Sequence, residues 1–152
     1  MADEKDLKTI KQVRIYVTII IISLLIIIYV VVYFIQRADR HKKFEGFYNY
    51  LISYMEEKFP DRYRLSAEDN TIFVYVWEPG ASVYLGMKYI IGEADLRDRF
   101  QPLAEGIYND MRNRGLDHNV CLMLQNDLDT EKTLMYWYNG KFKEGAYTGG
   151  YE

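Results

Sequence analysis

The organisation of this chain is decided by the stretch IYVTIIIISLLIIIYVVVYFI, which runs from Ile15 to Ile35. Its 21 residues include no charged residue, no proline and no glycine. As an α-helix, such a run is about 31 Å long, which is close to the ~30 Å hydrocarbon core of a bilayer. Lipid offers the backbone no hydrogen-bond partner, so even β-branched residues form a helix there. The run predicts a single transmembrane helix.

Two other interpretations of this run fit less well. A cleaved signal peptide has a shorter apolar stretch with small residues at its cleavage site, whereas this run ends in Tyr33-Phe34-Ile35. A core helix that is apolar on every side needs a larger protein around it. No ionisable group lies inside the span, which argues against a channel or a transporter. We therefore expect a retained signal anchor. The span lacks a small-xxx-small pattern, so self-association through it has no support.

The charges that flank the span do not decide its orientation. Four Lys or Arg residues precede the span and four follow it: Lys5, Lys8, Lys11 and Arg14, then Arg37, Arg40, Lys42 and Lys43. The positive-inside rule counts these residues, so the two sides are equal. A short tail before a single span usually lies in the cytoplasm. We expect this arrangement at the cell membrane, with the C-terminal domain outside, and leave the opposite orientation open.

Composition along the chain predicts five segments. A short polar tail (1–14) precedes the span (15–35), and a basic juxtamembrane segment (36–43) follows it, either as a continuation of the helix or as a hinge. A globular domain occupies 44–144. The last residues, 145–152, contain two adjacent glycines, and we expect them to fray.

Inside the globular domain, the residue patterns predict two helices and several strands. The helices are an amphipathic segment at 44–58 and a second one within 94–114, where Pro102 either stands in the first turn or produces a kink. The strands are at 71–77, 120–125, 133–138 and 141–143, the last two joined by the hairpin signal Asn139-Gly140. Residues 82–91 fit a strand or a short helix. The predicted fold class is α+β: an N-terminal transmembrane helix, then a small domain with two helices and a short, mainly antiparallel β-sheet.

The sequence offers little material for metal, cofactor or nucleic-acid chemistry. With 19 basic and 22 acidic residues, the net charge of −3 provides no basic field for a nucleic acid. One cysteine excludes an internal disulfide and a CxxC zinc site, and the two histidines lack ligand spacing. Asp127-x-Asp129-x-Glu131 fails as an EF-hand loop, because Lys132 and Tyr138 occupy the positions of the required Gly and Glu. We expect no metal and no cofactor.

Two functional hypotheses remain for the globular domain. The strands at 71–77, 120–125 and 133–138 are apolar on both sides, which is typical of a sheet covered on both faces or of a sheet with a recognition surface. The favoured hypothesis is a non-catalytic binding or accessory module that contacts a protein partner at the membrane. Its candidate surface consists of Phe73, Tyr75, Trp77, Met123, Met135 and Trp137. The alternative is a membrane-tethered hydrolase that uses acidic residues or the pair Cys121 and His118.

Overall fold

A computed structural model describes the backbone of residues 4–87 and 89–144, and the side chains of residues 11–83, 85 and 95–144. The segment 145–152, which we expect to fray, lies outside the described residues. The chain divides into two compact units, and the division falls between Lys42 and Lys43.

The described residues of the first unit form a helix. Helix α1 begins at Glu4 and ends at Lys58, so residues 36–43 are helical and do not form a loop. Among the described residues, α1 is the one helix that is long and apolar enough to cross a membrane. None of its most apolar stretch is buried inside the protein. Large side chains such as Tyr29, 71% exposed, and Leu25, 60% exposed, project from it.

The second unit contains the end of α1, two further helices and five strands. In chain order these are β1 (Tyr63–Glu68), β2 (Thr71–Trp77), α2 (Ala81–Met87), α3 (Tyr89–Asn113), β3 (Asn119–Gln125), β4 (Thr133–Tyr138) and β5 (Lys141–Lys143). The strands form one sheet in the order β1-β2-β3-β4-β5. The predicted α+β class is therefore confirmed.

One pair of strands in this sheet is parallel. β2 and β3 run in the same direction, whereas the other three neighbouring pairs are antiparallel. Parallel neighbours need a crossover connection, because the chain has to return to the end of the sheet at which it started. Helices α2 and α3 supply that connection.

The helices of the second unit pack on one side of the sheet, which we call the core face. The strands contribute alternate aliphatic residues, such as Val74 and Leu122, together with Met135 and Trp137 from β4. The helical side chains packed with them come from α1, α2 and α3: Phe47, Leu51, Met55, Ala81, Leu96, Phe100, Ala104, Ile107 and Met111. In α1 the predicted spacing of three and four residues thus places Phe47, Leu51 and Met55 in the core.

The segment 82–91, for which the sequence fits a strand or a short helix, is helical at its described residues. α2 covers its first part and α3 begins at Tyr89. α3 also contains Pro102 well inside its length, so the helix does not start at this proline. Proline has no N–H to donate to the carbonyl of residue 98, and the exposed position of Pro102 leaves that carbonyl on the solvent side.

The predicted hairpin at Asn139-Gly140 is also confirmed. Asn139 and Gly140 have φ angles of +51° and +76°, the left-handed values of a two-residue hairpin turn. A second feature favours glycine at 140: a Cβ there would lie 3.3 Å from the Cα of Glu105 in α3, which is closer than most Cβ contacts. Gln101 of α3 stabilises the turn, because its Nε2 donates a hydrogen bond to the Gly140 carbonyl at 2.7 Å.

The position of Trp137 leads to a stability prediction. Trp137 is fully buried and contacts the rings of Phe100 and Phe142, with centroids 6.0 and 5.6 Å away. Trp137→Ala should lower the free energy of unfolding by about 3–5 kcal/mol, as for other large core truncations. Trp77→Ala, at a half-buried position, is the matched control and should cost less. Urea unfolding of the full chain in detergent, followed by circular dichroism, measures both; equal losses would contradict the placement of Trp137 in the core.

Candidate functional site

The side of the sheet opposite the core face carries a second, smaller apolar cluster. We call it the aromatic face, and it consists of Phe73, Cys121 and Met123 with the tyrosines Tyr75, Tyr136 and Tyr138 packed against them. All six residues come from β2, β3 and β4. Strand pairing assembles them, because Phe73 lies beside Cys121 and Tyr75 beside Met123 in the register of β2 and β3.

The aromatic face has a buried base and a half-buried rim. Phe73, Cys121 and Met123 are at most 5% exposed, whereas the three tyrosines are intermediate. The rings of Phe73 and Tyr75 stack with centroids 6.2 Å apart. The guanidinium of Arg64 in β1 lies 4.5 Å from the centroid of the Tyr75 ring, a cation–π distance. The rim therefore combines apolar rings, polar hydroxyls and one cation.

Two of the six predicted surface residues lie elsewhere. Met135 and Trp137 are on the core face, 5% and 0% exposed, so grouping them with Phe73 was wrong. The reason is the register of β3 and β4: Trp137 lies beside Leu122 and Met135 beside Leu124. Alternation within β4 tells which residues share a side, but the pairing with β3 decides which side faces the helices.

The same register brings in two tyrosines that the sequence argument left out of the surface. Tyr136 lies beside Met123 and Tyr138 beside Cys121, so both belong to the aromatic face. Trp77, the last residue of β2, is half-buried and lies beside Gln125 in the register. Of the predicted residues, Phe73, Tyr75 and Met123 thus lie together on the aromatic face. Trp77 lies on the same side of β2 as Phe73 and Tyr75. Met135 and Trp137 lie on the opposite, core face.

Cys121, a residue of the alternative hydrolase hypothesis, has the environment of a core residue. It is fully buried in the base of the aromatic face. Burial raises the pKa of the Cys121 thiol to about 12, because the thiolate loses its hydration in an apolar site. At neutral pH the group is a neutral thiol, whereas nucleophilic catalysis requires the thiolate.

His118, the second member of that pair, packs against an aromatic ring. Its imidazole stacks on Phe44 of α1 with centroids 4.5 Å apart, and its Nδ1 is buried without a hydrogen-bond partner among the described residues. Burial lowers the pKa of His118, an effect that Asp117 opposes and Arg112 reinforces. Packing therefore favours the neutral form of the imidazole over the charged one.

The environment of Cys121 leads to a reactivity prediction. In the folded chain, alkylation of Cys121 by iodoacetamide at pH 8 should be at least about 100-fold slower than in urea, because both burial and the raised pKa suppress the thiolate. The chain contains no other cysteine, so mass spectrometry reports this site directly. A rate in the folded chain near that of a free thiol would contradict the geometry and revive the hydrolase hypothesis.

Among the acidic residues, Asp127 has the most specific geometry. Its carboxylate accepts hydrogen bonds from the Ser82 hydroxyl at 2.6 Å, the Ser82 N–H at 3.0 Å and the Gly80 N–H at 2.7 Å. These bonds lower the pKa of Asp127 to about 2, with the Ser82 hydroxyl as the largest cause. Asp127 therefore ties the β3–β4 loop to the start of α2, which is a structural role.

The lowered pKa of Asp127 predicts how the stability of the fold changes with pH. A native pKa below the unfolded one means that the carboxylate stabilises the fold above about pH 4, and this contribution is lost as the pH falls through about 2. Asp127→Asn should lower the urea midpoint at pH 7, and its difference from wild type should shrink between pH 4 and 2. Asp129→Asn is the control and should have a smaller effect, because the hydrogen bonds found for Asp129 stay within its own loop. A difference for Asp127→Asn that is the same at pH 7 and pH 2 would contradict this role.

Metal ligands do not cluster in the part of the chain that the structure describes: no three His, Cys, Asp or Glu side chains there are arranged to hold an ion. Comparison with known protein families, with curated proteins and with solved structures finds no match to this chain. The two faces of the sheet and the apolar stretch of α1 are therefore the features that bear on function.

Proposed function

We propose that this protein is a single-pass, membrane-anchored, non-catalytic module that binds a partner protein through the aromatic face. The observation that carries the proposal is the asymmetry of the sheet. The described helical side chains of the second unit pack with the core face, whereas the described members of the aromatic face all come from strands. Aromatic and methionine side chains beside an arginine are the residue types enriched at protein interfaces.

The membrane anchor is supported by the apolar stretch of α1. The large apolar side chains of this stretch, from Ile15 to Ile35, are exposed at the surface of the protein. A soluble monomer rarely exposes a continuous apolar patch of this size, since each buried CH₂ gains about 0.8 kcal/mol. A lipid environment removes these side chains from water. The predicted orientation, with the N-terminus in the cytoplasm and the domain outside, stays a prediction.

The non-catalytic part of the proposal is supported by the environments of the titratable groups. The thiol of Cys121 is neutral and buried, and the imidazole of His118 stacks on a ring. The carboxylate of Asp127 is occupied by hydrogen bonds from Gly80 and Ser82 at the start of α2. The hydrolase alternative would need a nucleophile and a base that lie side by side and face solvent. Cys121, His118 and Asp127 do not provide such a pair.

A photocrosslinking experiment in membranes tests the proposal. The photoreactive amino acid p-benzoylphenylalanine replaces Tyr75 or Trp77 on the proposed surface, and in a matched control it replaces Tyr50 of α1, which is 42% exposed. Irradiation should produce a discrete crosslinked protein from positions 75 and 77 and none from position 50. Absence of a product at 75 and 77, or the same product from position 50, would contradict a partner on the aromatic face.

A further inference from the structure

The first strand of the sheet, β1, has an edge that no other described strand covers. β1 pairs with β2 on one side only, since it is the first in the strand order. It is six residues long, and Ala67 and Glu68 at its end are exposed. An uncovered strand of this length is a template to which a further strand can add.

The phase of the β1–β2 ladder shows which backbone groups point outward. The Trp77 N–H donates to the Arg62 carbonyl at 3.1 Å, which makes residues 62 and 77 a hydrogen-bonded pair. In an antiparallel ladder every second residue then pairs in the same way, so Arg64, Ser66 and Glu68 direct their N–H and C=O groups at β2. The N–H and C=O groups of Tyr63, Leu65 and Ala67 therefore point away from the sheet.

The opposite edge of the sheet has the features that block strand addition. β5 is only three residues long, and two of them are the exposed lysines Lys141 and Lys143. Short edge strands and lysines are the usual protection against edge pairing. β1 contains neither lysine nor proline. The two edges of the sheet therefore differ, and β1 is the edge that lacks these protections and has no described strand beside it.

The charges on β1 specify what an added strand would carry. Arg64 and Glu68 are four residues apart and lie on the same side of the sheet as the aromatic face, since Arg64 contacts Tyr75. Neither Arg64 nor Glu68 forms an ion pair with a described residue. Opposite charges on neighbouring strands stabilise pairing, and like charges oppose it.

We propose, on the basis of the proposed function, that the outer edge of β1 binds an extended segment of the partner protein as an added antiparallel strand. The segment carries a basic residue opposite Glu68 and, four residues later, an acidic residue opposite Arg64. Its backbone bonds to the outward groups of Tyr63, Leu65 and Ala67. Its alternate side chains lie beside Arg64, next to the aromatic face, so one partner contacts both surfaces.

Two peptides of identical composition test this pairing on the full chain in detergent micelles. Acetyl-Thr-Lys-Thr-Val-Thr-Asp-Thr-amide places the basic residue first, and its twin exchanges Lys and Asp. NMR titration of the β1 amide signals should give about tenfold tighter binding for the first peptide, since two cross-strand charge pairs change from attraction to repulsion. The double variant Arg64→Glu/Glu68→Arg should reverse the preference.

A second pair of variants tests the backbone contact. Ala67→Pro removes an N–H that points outward and is not used in the β1–β2 ladder, so the fold should persist while both peptides lose binding. Ala67→Ser keeps the N–H and is the matched control, with binding unchanged. Equal affinities of the two peptides, or a preference that the double variant does not reverse, would overturn the proposal.

A second copy of this chain is the competing occupant, and a cysteine variant detects it. Ser66 lies midway between Arg64 and Glu68, so in a pair of copies it would face its own counterpart. Rapid intermolecular disulfide formation by Ser66→Cys, and none by Ala67→Cys, would assign the edge to a second copy and overturn the partner-strand proposal; a chain that stays monomeric supports it. If the peptides fail while position 75 still crosslinks, the strand addition is wrong and the proposed function stands.

Discussion

Burial of the central strand on both of its faces is the constraint on which the rest of this domain depends. Val120 to Leu124 in β3 are five consecutive buried residues. One side of such a strand needs the helices and the other needs an apolar cluster of its own, because a strand presents successive side chains to opposite faces. β2 and β4 flank β3 and supply both: aliphatic residues and Trp137 toward the helices, aromatic residues away from them.

The two faces differ because the chain crosses the sheet on one side only. The parallel pair β2 and β3 requires a crossover, and α2 and α3 form it on the core face, together with the end of α1. Polar groups fix this arrangement at the loops. Asp127 is hydrogen-bonded to Ser82 at the start of α2, 45 residues away in the sequence. Gln101 of α3 donates a hydrogen bond to the carbonyl of Gly140 in the hairpin turn. The described side chains of the helices thus pack on one face, and the described side chains of the tyrosine-rimmed face come from the strands.

The sequence predicted those features that depend on local pattern. The amphipathic stripe of 44–58, the strand at 71–77 and the Asn139-Gly140 hairpin each have a short-range signal, and each is where it was expected. β1 was missed although Tyr63, Leu65 and Ala67 alternate with polar residues, because the run is poor in strong strand formers. Within the candidate surface, Phe73, Tyr75 and Met123 were predictable from alternation. Which of Trp137 and Tyr138 faces the helices was not, since that depends on the register between β3 and β4. The role of Asp127 depends on a contact between distant residues.

The two tryptophans of the chain report on the two faces separately, and this makes one measurement decisive. Trp77→Phe leaves Trp137 as the single emitter, and Trp137→Phe leaves Trp77. The account predicts that acrylamide quenches the emission of Trp137 weakly, with a blue-shifted maximum, and that of Trp77 several times more strongly. Similar quenching of the two would mean that Trp137 does not lie on a helix-packed face with Trp77 on the side away from the helices, and would contradict the account.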